Sequence, residues 1–129
     1  MKYLGIDYGL SNIGLSLAEG PLAEPLTQKR YQSQPKLLKF LHRLVKAKQI
    51  DTIVIGLPEG QLASQVENFG NQLQLLTKLP IVYQDETLST HEAKQKLIQA
   101  QAPQKKRRQD HTAAATLILQ SYLDDQAKA

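Results

Sequence analysis

The sequence predicts an α/β fold in which one mixed, five-stranded sheet carries helices on both faces. Three strand patterns come first, and helical and strand patterns then alternate, giving the order β-β-β-α-β-α-β-α-α. The chain has 129 residues, which is enough for one ordinary hydrophobic core and too short for two lobes around a cleft. We therefore expect a single domain over residues 1–129, which excludes most kinases and two-domain dehydrogenases.

The first three elements are predicted strands. Residues 2–7 lead into the glycine turn DYG, and residues 13–18 alternate between the two faces of a strand. The short link between these segments predicts a hairpin. Residues 24–31 predict a third strand, which Pro25 confines to a sheet edge or to a strand start.

Helices and strands alternate in the remainder of the chain. Apolar residues at helical spacing mark the helices, and Pro35 opens the first of them. The continuous apolar run TIVIG is typical of a central strand covered on both faces. The predicted elements are a helix from Lys36 to Lys48, a strand at 52–56, a helix at 62–76, a strand at 81–84, a helix from the capping-box residue Ser89, and a last helix from about Arg108 to Asp125.

Composition favours a soluble, globular protein and excludes several kinds of site. No apolar run approaches the roughly 18 residues of a transmembrane helix. The N-terminus meets an acid and glycines too early for a signal peptide. The absence of cysteine excludes disulfides, thiolate metal ligands and a cysteine nucleophile. We expect a cytoplasmic protein with no membrane partner.

The net charge of the chain is +4, which equals the charge of one basic run, Lys105-Lys106-Arg107-Arg108. Without these four cations, the other basic residues balance the 12 acidic ones. The sequence therefore suggests that the basicity is a local patch. Such a run is most often a solvated loop, although it can also form a phosphate-binding edge.

Carboxylates are the main candidates for chemistry. Asp7 ends the first strand, and because side chains alternate, Tyr3, Gly5 and Asp7 share one face. Gly5 leaves that face flat, so a helix could pack closely on it. Asp110 opens the last helix on the same stripe as Ala114, which is small. If that helix packs on the Gly5 face, Asp110 lies near Asp7.

Asp85 and Glu86 follow the fifth strand. As neighbours they point to opposite faces, and the longer Glu86 would more easily span the roughly 9.6 Å between strands two places apart. Converging carboxylates repel one another, and a divalent cation relieves the repulsion. Oxygen ligands favour Mg²⁺ or Mn²⁺, which activate water for attack on phosphate. The predicted metal site is Asp7, Glu86 and Asp110, with Asp85 as a further catalytic candidate.

Each acid also has a structural interpretation. Asp7 is as compatible with a turn former as with catalysis, and Asp110 taken alone fits a helix N-cap better than a ligand. Asp85 could be a surface turn residue. His111 and His91 could assist proton transfer, although a lone histidine is more often structural or exposed.

Four motifs occur in order, namely GIDYGLSNIGLSLA, VIGLP, DETLSTHEA and DHTAAATLILQSYLD. Together they resemble the YqgF family, also called RuvX-like, over nearly the whole chain. Members are described as pre-16S rRNA processing nucleases and as Holliday junction resolvases. The resemblance implies an RNase H-like fold and a metal-dependent endonuclease with acids at Asp7, at Asp85-Glu86 and at Asp110.

The chain departs from the family pattern at three places. Members usually carry a basic residue where this chain has Asn12 and arginine where it has Thr87. Only Glu59-Gly60 follows GLP, where most members have a longer stretch containing Asp-Gly. The first two differences remove positive charge near the expected phosphate site. The run 105–108 lies just before Asp110 and could supply phosphate contacts instead.

The resemblance makes a nuclease the leading interpretation. The expected substrate is structured RNA, and the expected role is 5′-end processing of pre-16S rRNA in ribosome biogenesis. The alternatives are a Holliday junction DNA resolvase and a nucleic-acid-binding ribosome maturation factor with a weakened site. The segment DYGLSNIG also resembles the phosphate loop of the actin-like kinases. The length argues against an ATP-binding fragment of that kind, because those proteins close a second lobe over the nucleotide.

Overall fold

The computed structural model describes residues 1–85 and 110–128, with residue 110 described by its backbone alone. Every element predicted within these ranges is present. The strands are β1 (Lys2–Tyr8), β2 (Asn12–Glu19), β3 (Ala23–Arg30), β4 (Thr52–Leu57) and β5 (Ile81–Asp85). The helices are α1 (Gln34–Ala47), α2 (Leu62–Thr77) and α3 (Asp110–Lys128). The helix predicted from Ser89 lies outside the described residues.

The strands form one mixed sheet in the order β3-β2-β1-β4-β5. β1 pairs antiparallel with β2 and parallel with β4, while β3 extends the antiparallel side and β5 the parallel side. The predicted mixed sheet and the β1–β2 hairpin are therefore confirmed. One side of the sheet, at right angles to the strands, contains the C-terminal ends of β1, β3, β4 and β5. We call this side the carboxyl edge.

Individual residues account for the position of β3 and the start of α1. β3 is an edge strand, as Pro25 predicted, and the β2–β3 register shifts next to the position where Pro25 faces Ser16. α1 follows Ser33, whose hydroxyl accepts a hydrogen bond from the backbone N–H of Lys36. Pro35 lies in the first turn of α1, where its missing N–H costs no hydrogen bond.

Two hydrophobic clusters cover the two faces of the sheet. The larger packs α1 and α2 on one face through side chains such as Leu37 and Phe69. The smaller packs α3 on the other face and includes Leu119. β4 contributes Ile55 to the first cluster and Val54 to the second, as expected for a strand covered on both sides. Among the described helices, none has the length and apolarity to cross a membrane.

Two glycines allow α3 to approach the sheet closely. A Cβ atom on Gly5 would overlap the hydroxyl of Ser16 and would lie 2.9 Å from the backbone oxygen of Ala115. A Cβ atom on Gly14 would overlap the backbone oxygen of His111. The predicted crossing of the helix over Gly5 is confirmed. The equivalent role of Gly14 on β2 was not predicted.

Candidate active site

Asp7 lies near the end of β1, on the face covered by α3. Only 4% of its surface is exposed, and its cross-strand partner on β2 is Gly14. Removing a carboxylate from water is costly unless a hydrogen bond or a cation compensates for the lost hydration. The position of Asp7 therefore requires a partner.

His111, in the first turn of α3, is one partner of Asp7. Its Nδ1 atom lies 2.8 Å from Oδ2 of Asp7. The side chain of Asp7 is 6% exposed, whereas that of His111 is 41% exposed and so also reaches solvent. Gly14 permits this contact, because any side chain there would displace the first turn of α3. The pair combines a buried carboxylate with a solvent-accessible imidazole.

The inner stripe of α3 begins at His111. Ala115 and Leu119 contact the middle of β1, and the Tyr122 ring lies 5.8 Å from that of Tyr3. These residues recur at intervals of three and four along the helix. This spacing is present in the sequence, but the neighbouring stripe of Ala114 and Ile118 fits it as well, so spacing alone could not identify the contact between His111 and Asp7.

The N-terminus of α3 lies beside Asp7 because the helix runs antiparallel to β1. Asp110, a predicted metal ligand, is the first residue of α3 and directly precedes His111. The side chain of Asp110 lies outside the described part of the chain.

The neighbours of Asp85 in β5 define the face it occupies. Tyr83 packs on α2 at Gly70. Gln84 lies on the opposite face, where its Nε2 atom donates hydrogen bonds to two side chains of α3, at 3.1 and 3.0 Å. Because strand residues alternate, Asp85 shares the face of Tyr83, away from Asp7. The exposed Asp85 is the last described residue of this strand.

The described residues contain only part of the predicted metal site. Within them, no group of three or more His, Cys, Asp or Glu side chains could hold a metal ion. Asp7 supplies a buried oxygen donor, which suits Mg²⁺ or Mn²⁺. Glu86, the side chain of Asp110 and the basic run 105–108 lie outside the described part.

The turn between β1 and β2 borders Asp7 and is held by β3. The backbone N–H of Gly9 donates to the Asn12 oxygen at 2.9 Å, and the hydroxyl of Tyr31 donates to the Gly9 oxygen. Burial raises the pKa of Tyr31 above its ordinary value, so the phenol remains a neutral donor. Asn12 faces Arg30 across the strands, which places a positive charge at this edge.

Comparison with known proteins identifies relatives over almost the full length. A family model described as RuvX, Holliday junction resolvase, matches residues 1–125. A candidate pre-16S rRNA nuclease of Protochlamydia amoebophila is 39% identical, covering 95% of this chain and 93% of its own. One of Caldanaerobacter subterraneus subsp. tengcongensis is 32% identical, covering 98% of both chains.

Solved structures with this fold include two proteins in complex with Holliday junctions. RuvC of Thermus thermophilus, in complex with a Holliday junction, matches with a TM-score of 0.67 at 9% identity and covers 100% of this chain and 97% of its own. Fowlpox virus resolvase, bound to Holliday junction DNA, matches with a TM-score of 0.63 at 11% identity and covers 98% and 99%. These similarities confirm the predicted RNase H-like fold.

Proposed function

Since this chain belongs to the RuvX family, whose model is described as a Holliday junction resolvase, we propose that it is a metal-dependent endonuclease acting on pre-16S rRNA. Its relatives carry nuclease names at 32–39% identity over nearly the whole chain. Hydrolysis of phosphodiester bonds is the reaction class that these names share. The RNA substrate follows the names of the curated relatives. The 5′-end processing role follows from the resemblance of the sequence motifs to this family.

The buried carboxylate of Asp7 is the observation that carries the proposal. It lies at the carboxyl edge, against the N-terminal turn of α3 and 2.8 Å from a histidine. The carboxylate is oriented by its hydrogen bond with His111. This arrangement holds an acidic group directly beside the solvent-accessible imidazole of His111.

We assign Asp7, Glu86 and Asp110 as the metal ligands. A bound Mg²⁺ or Mn²⁺ would polarise the phosphate and lower the pKa of a water nucleophile. The alternation in β5 supports Glu86 over Asp85, because Gln84 shares the face of Asp7 and Asp85 does not.

Glu86→Gln is therefore expected to lower the cleavage rate more than Asp85→Asn. The first change removes the charge of a proposed metal ligand. The second alters an exposed residue on the sheet face that α2 covers, away from Asp7. Single-turnover cleavage of one labelled precursor RNA by the two variants measures the ranking. A greater loss in Asp85→Asn would assign the ligand role to Asp85.

His111 is proposed as a positioning residue that orients Asp7. Removing such a hydrogen-bond partner of a metal ligand typically costs about 10- to 100-fold in metal affinity or activity. We expect His111→Ala to raise the metal concentration needed for half-maximal cleavage, and His111→Gln, which keeps a donor, to recover part of the loss. An unchanged metal requirement in folded His111→Ala would show that the contact only stabilises the fold.

The run Lys105-Lys106-Arg107-Arg108 is proposed to bind backbone phosphates of the same substrate. It directly precedes the helix that carries Asp110 and His111, and it contains four of the 16 basic residues. Phosphate contacts position a nucleic acid without reading its bases.

A Holliday junction resolvase is the second candidate, because the family model carries that description. Parallel incubation with 5′-extended 16S rRNA and with a four-way DNA junction separates the two activities. We expect cuts in the 5′ flank of the RNA and an intact junction. Resolution of the junction while the RNA stays intact would assign the resolvase activity instead. Binding of either substrate without cleavage would indicate a nucleic-acid-binding maturation factor.

A further inference from the structure

The segment between Glu24 and Asp51 contains seven basic residues and no acidic residue. The charge balance of the whole chain conceals this cluster, because acids elsewhere offset it. The segment comprises most of β3 and the whole of α1. The run 105–108 is therefore not the only basic region of the protein.

Five of these cations line one groove of about 600 Å³ between the end of β3 and α1. We call it the β3–α1 groove and define it by Lys29, Arg30, Lys36, Lys39, Arg43 and Phe40. None of the five cations forms an ion pair with an acid of residues 1–85 or 111–128. Their positive charge is thus not neutralised by the described part of the protein.

The amphipathic character of α1 explains why the cations point outward. Leu37, Leu41 and Val45 recur every four residues and are buried in the larger cluster. Lys39 and Arg43 lie on the exposed side of the same helix. Like charges three or four residues apart on a helix repel one another, so the exposed stripe slightly destabilises α1.

Phe40 gives the groove a flat apolar surface among the charges. The ammonium group of Lys29 lies 4.4 Å from the centre of its ring. Proteins that bind single-stranded nucleic acid combine a basic groove with aromatic rings of this kind. An anionic membrane is a poorer match, because the apolar side of α1 is buried in the core and cannot insert between lipids.

The groove opens at the carboxyl edge, as the candidate active site does. Asp7 pairs with Gly14, Gly14 pairs with Gln28, and Arg30 lies two residues further along β3. Strand geometry puts Arg30 about 12 Å from Asp7, the axial length of about three to four nucleotides of one strand. Lys29 and α1 lie on the face opposite to Asp7, whereas alternation along β3 puts Arg30 on the Asp7 face, so the groove reaches around the end of the sheet beside the β1–β2 turn.

We propose that the β3–α1 groove binds backbone phosphates of the nucleic acid whose phosphodiester is cut at Asp7. The nucleic-acid strand crosses the carboxyl edge over the β1–β2 turn, from the His111 end of α3 to the exposed side of α1. This inference rests on the proposed nuclease function, and its first test measures binding alone.

The binding test compares two variants of equal net charge. The groove variant combines Lys36→Gln, Lys39→Gln and Arg43→Gln. The control variant replaces exposed cations at the opposite edge, Lys48→Gln, Lys78→Gln and Lys128→Gln. Both are titrated, with chelator present, against one labelled hairpin RNA with a single-stranded flank at several salt concentrations.

The groove variant should bind about tenfold or more weakly at low salt. Its slope of log affinity against log salt should decrease in magnitude by about 2–3, since each lost phosphate contact contributes about 0.7–0.9. The control variant should retain the parent slope. Equal slopes in the two variants, or loss of binding to anionic vesicles with RNA binding intact, would overturn the proposal.

Cleavage under Mg²⁺ then tests whether the groove and Asp7 bind one molecule. The groove variant should need about tenfold more protein for half-saturation and should keep the maximal single-turnover rate. An unchanged half-saturation value would place the groove in a separate binding site. If the parent protein cleaves no RNA while the binding difference persists, the nuclease proposal fails and phosphate binding by the groove stands.

Discussion

Asp7→Asn should lower the rate of RNA cleavage by about 100-fold or more while the protein remains folded. The substitution keeps the shape of the side chain but removes the charge that we assign to metal binding. A 100-fold loss corresponds to about 2.8 kcal/mol of transition-state stabilisation, at about 1.4 kcal/mol per tenfold change in rate, which is within what a metal ion contributes. Asparagine can still form a hydrogen bond with His111, so the contact between β1 and α3 should persist.

Single-turnover cleavage and thermal unfolding measure the two halves of this prediction. Asp124→Asn is the matched control, because it makes the same chemical change at an exposed position near the far end of α3. The control should cleave at the parent rate. Rapid cleavage by folded Asp7→Asn would remove Asp7 from the active site.

Gly14→Ala should destabilise the protein by about 1–3 kcal/mol or more, the usual cost of overpacking a core. The new methyl group would overlap the backbone oxygen of His111, which can move only if the first turn of α3 moves. Because His111 contacts Asp7, cleavage should fall together with stability. Denaturant unfolding of the variant and its parent measures the difference in free energy.

Gly5→Ala provides the comparison for Gly14→Ala. Its methyl group would overlap the hydroxyl of Ser16, which can rotate at the expense of its 2.7 Å hydrogen bond to the Ala115 oxygen, and would lie 2.8 Å from Leu119 Cβ and 2.9 Å from that oxygen. These contacts with α3 require a smaller shift of the helix than the overlap at Gly14 does. We expect a smaller loss than in Gly14→Ala. Parent-like stability of Gly14→Ala would mean that α3 does not cross β2 at this point.

The order of elements could be predicted because each has a strong local signal. Pro25 identified an edge strand, Pro35 opened α1, and the apolar run of β4 indicated a strand buried on both faces. Strand register was less accessible, because it depends on pairing between distant segments. The face of Asp85 could be assigned only from the contacts of its neighbours.

The phase of α3 shows why the Asp7–His111 contact was missed. The prediction placed Asp110 and Ala114 on the inner stripe, whereas the closest contacts with β1 come from the stripe of His111 and Ala115. Residues 113–116 are all small, so hydrophobic spacing alone does not distinguish adjacent stripes. The absence of a side chain at Gly14 shows that the His111 turn packs against β2, but this can be used only once β2 and α3 are known to be neighbours.

The basic groove shows a similar limit in the charge analysis. The count of basic and acidic residues pointed to the run 105–108, because the remaining charges balance. Charges that balance along the chain can still separate in space. Packing of α1 through Leu37 and Leu41 leaves its cations on one exposed surface.

Cleavage of 5′-extended 16S rRNA by the parent protein, with Mg²⁺ or Mn²⁺ and with chelator, tests the central claim most directly. Mapping the new RNA ends distinguishes processing in the 5′ flank from general degradation. The account predicts metal-dependent cuts in the flank that disappear with chelator and in Asp7→Asn. Cleavage that persists with chelator, or that Asp7→Asn performs at the parent rate, would contradict it.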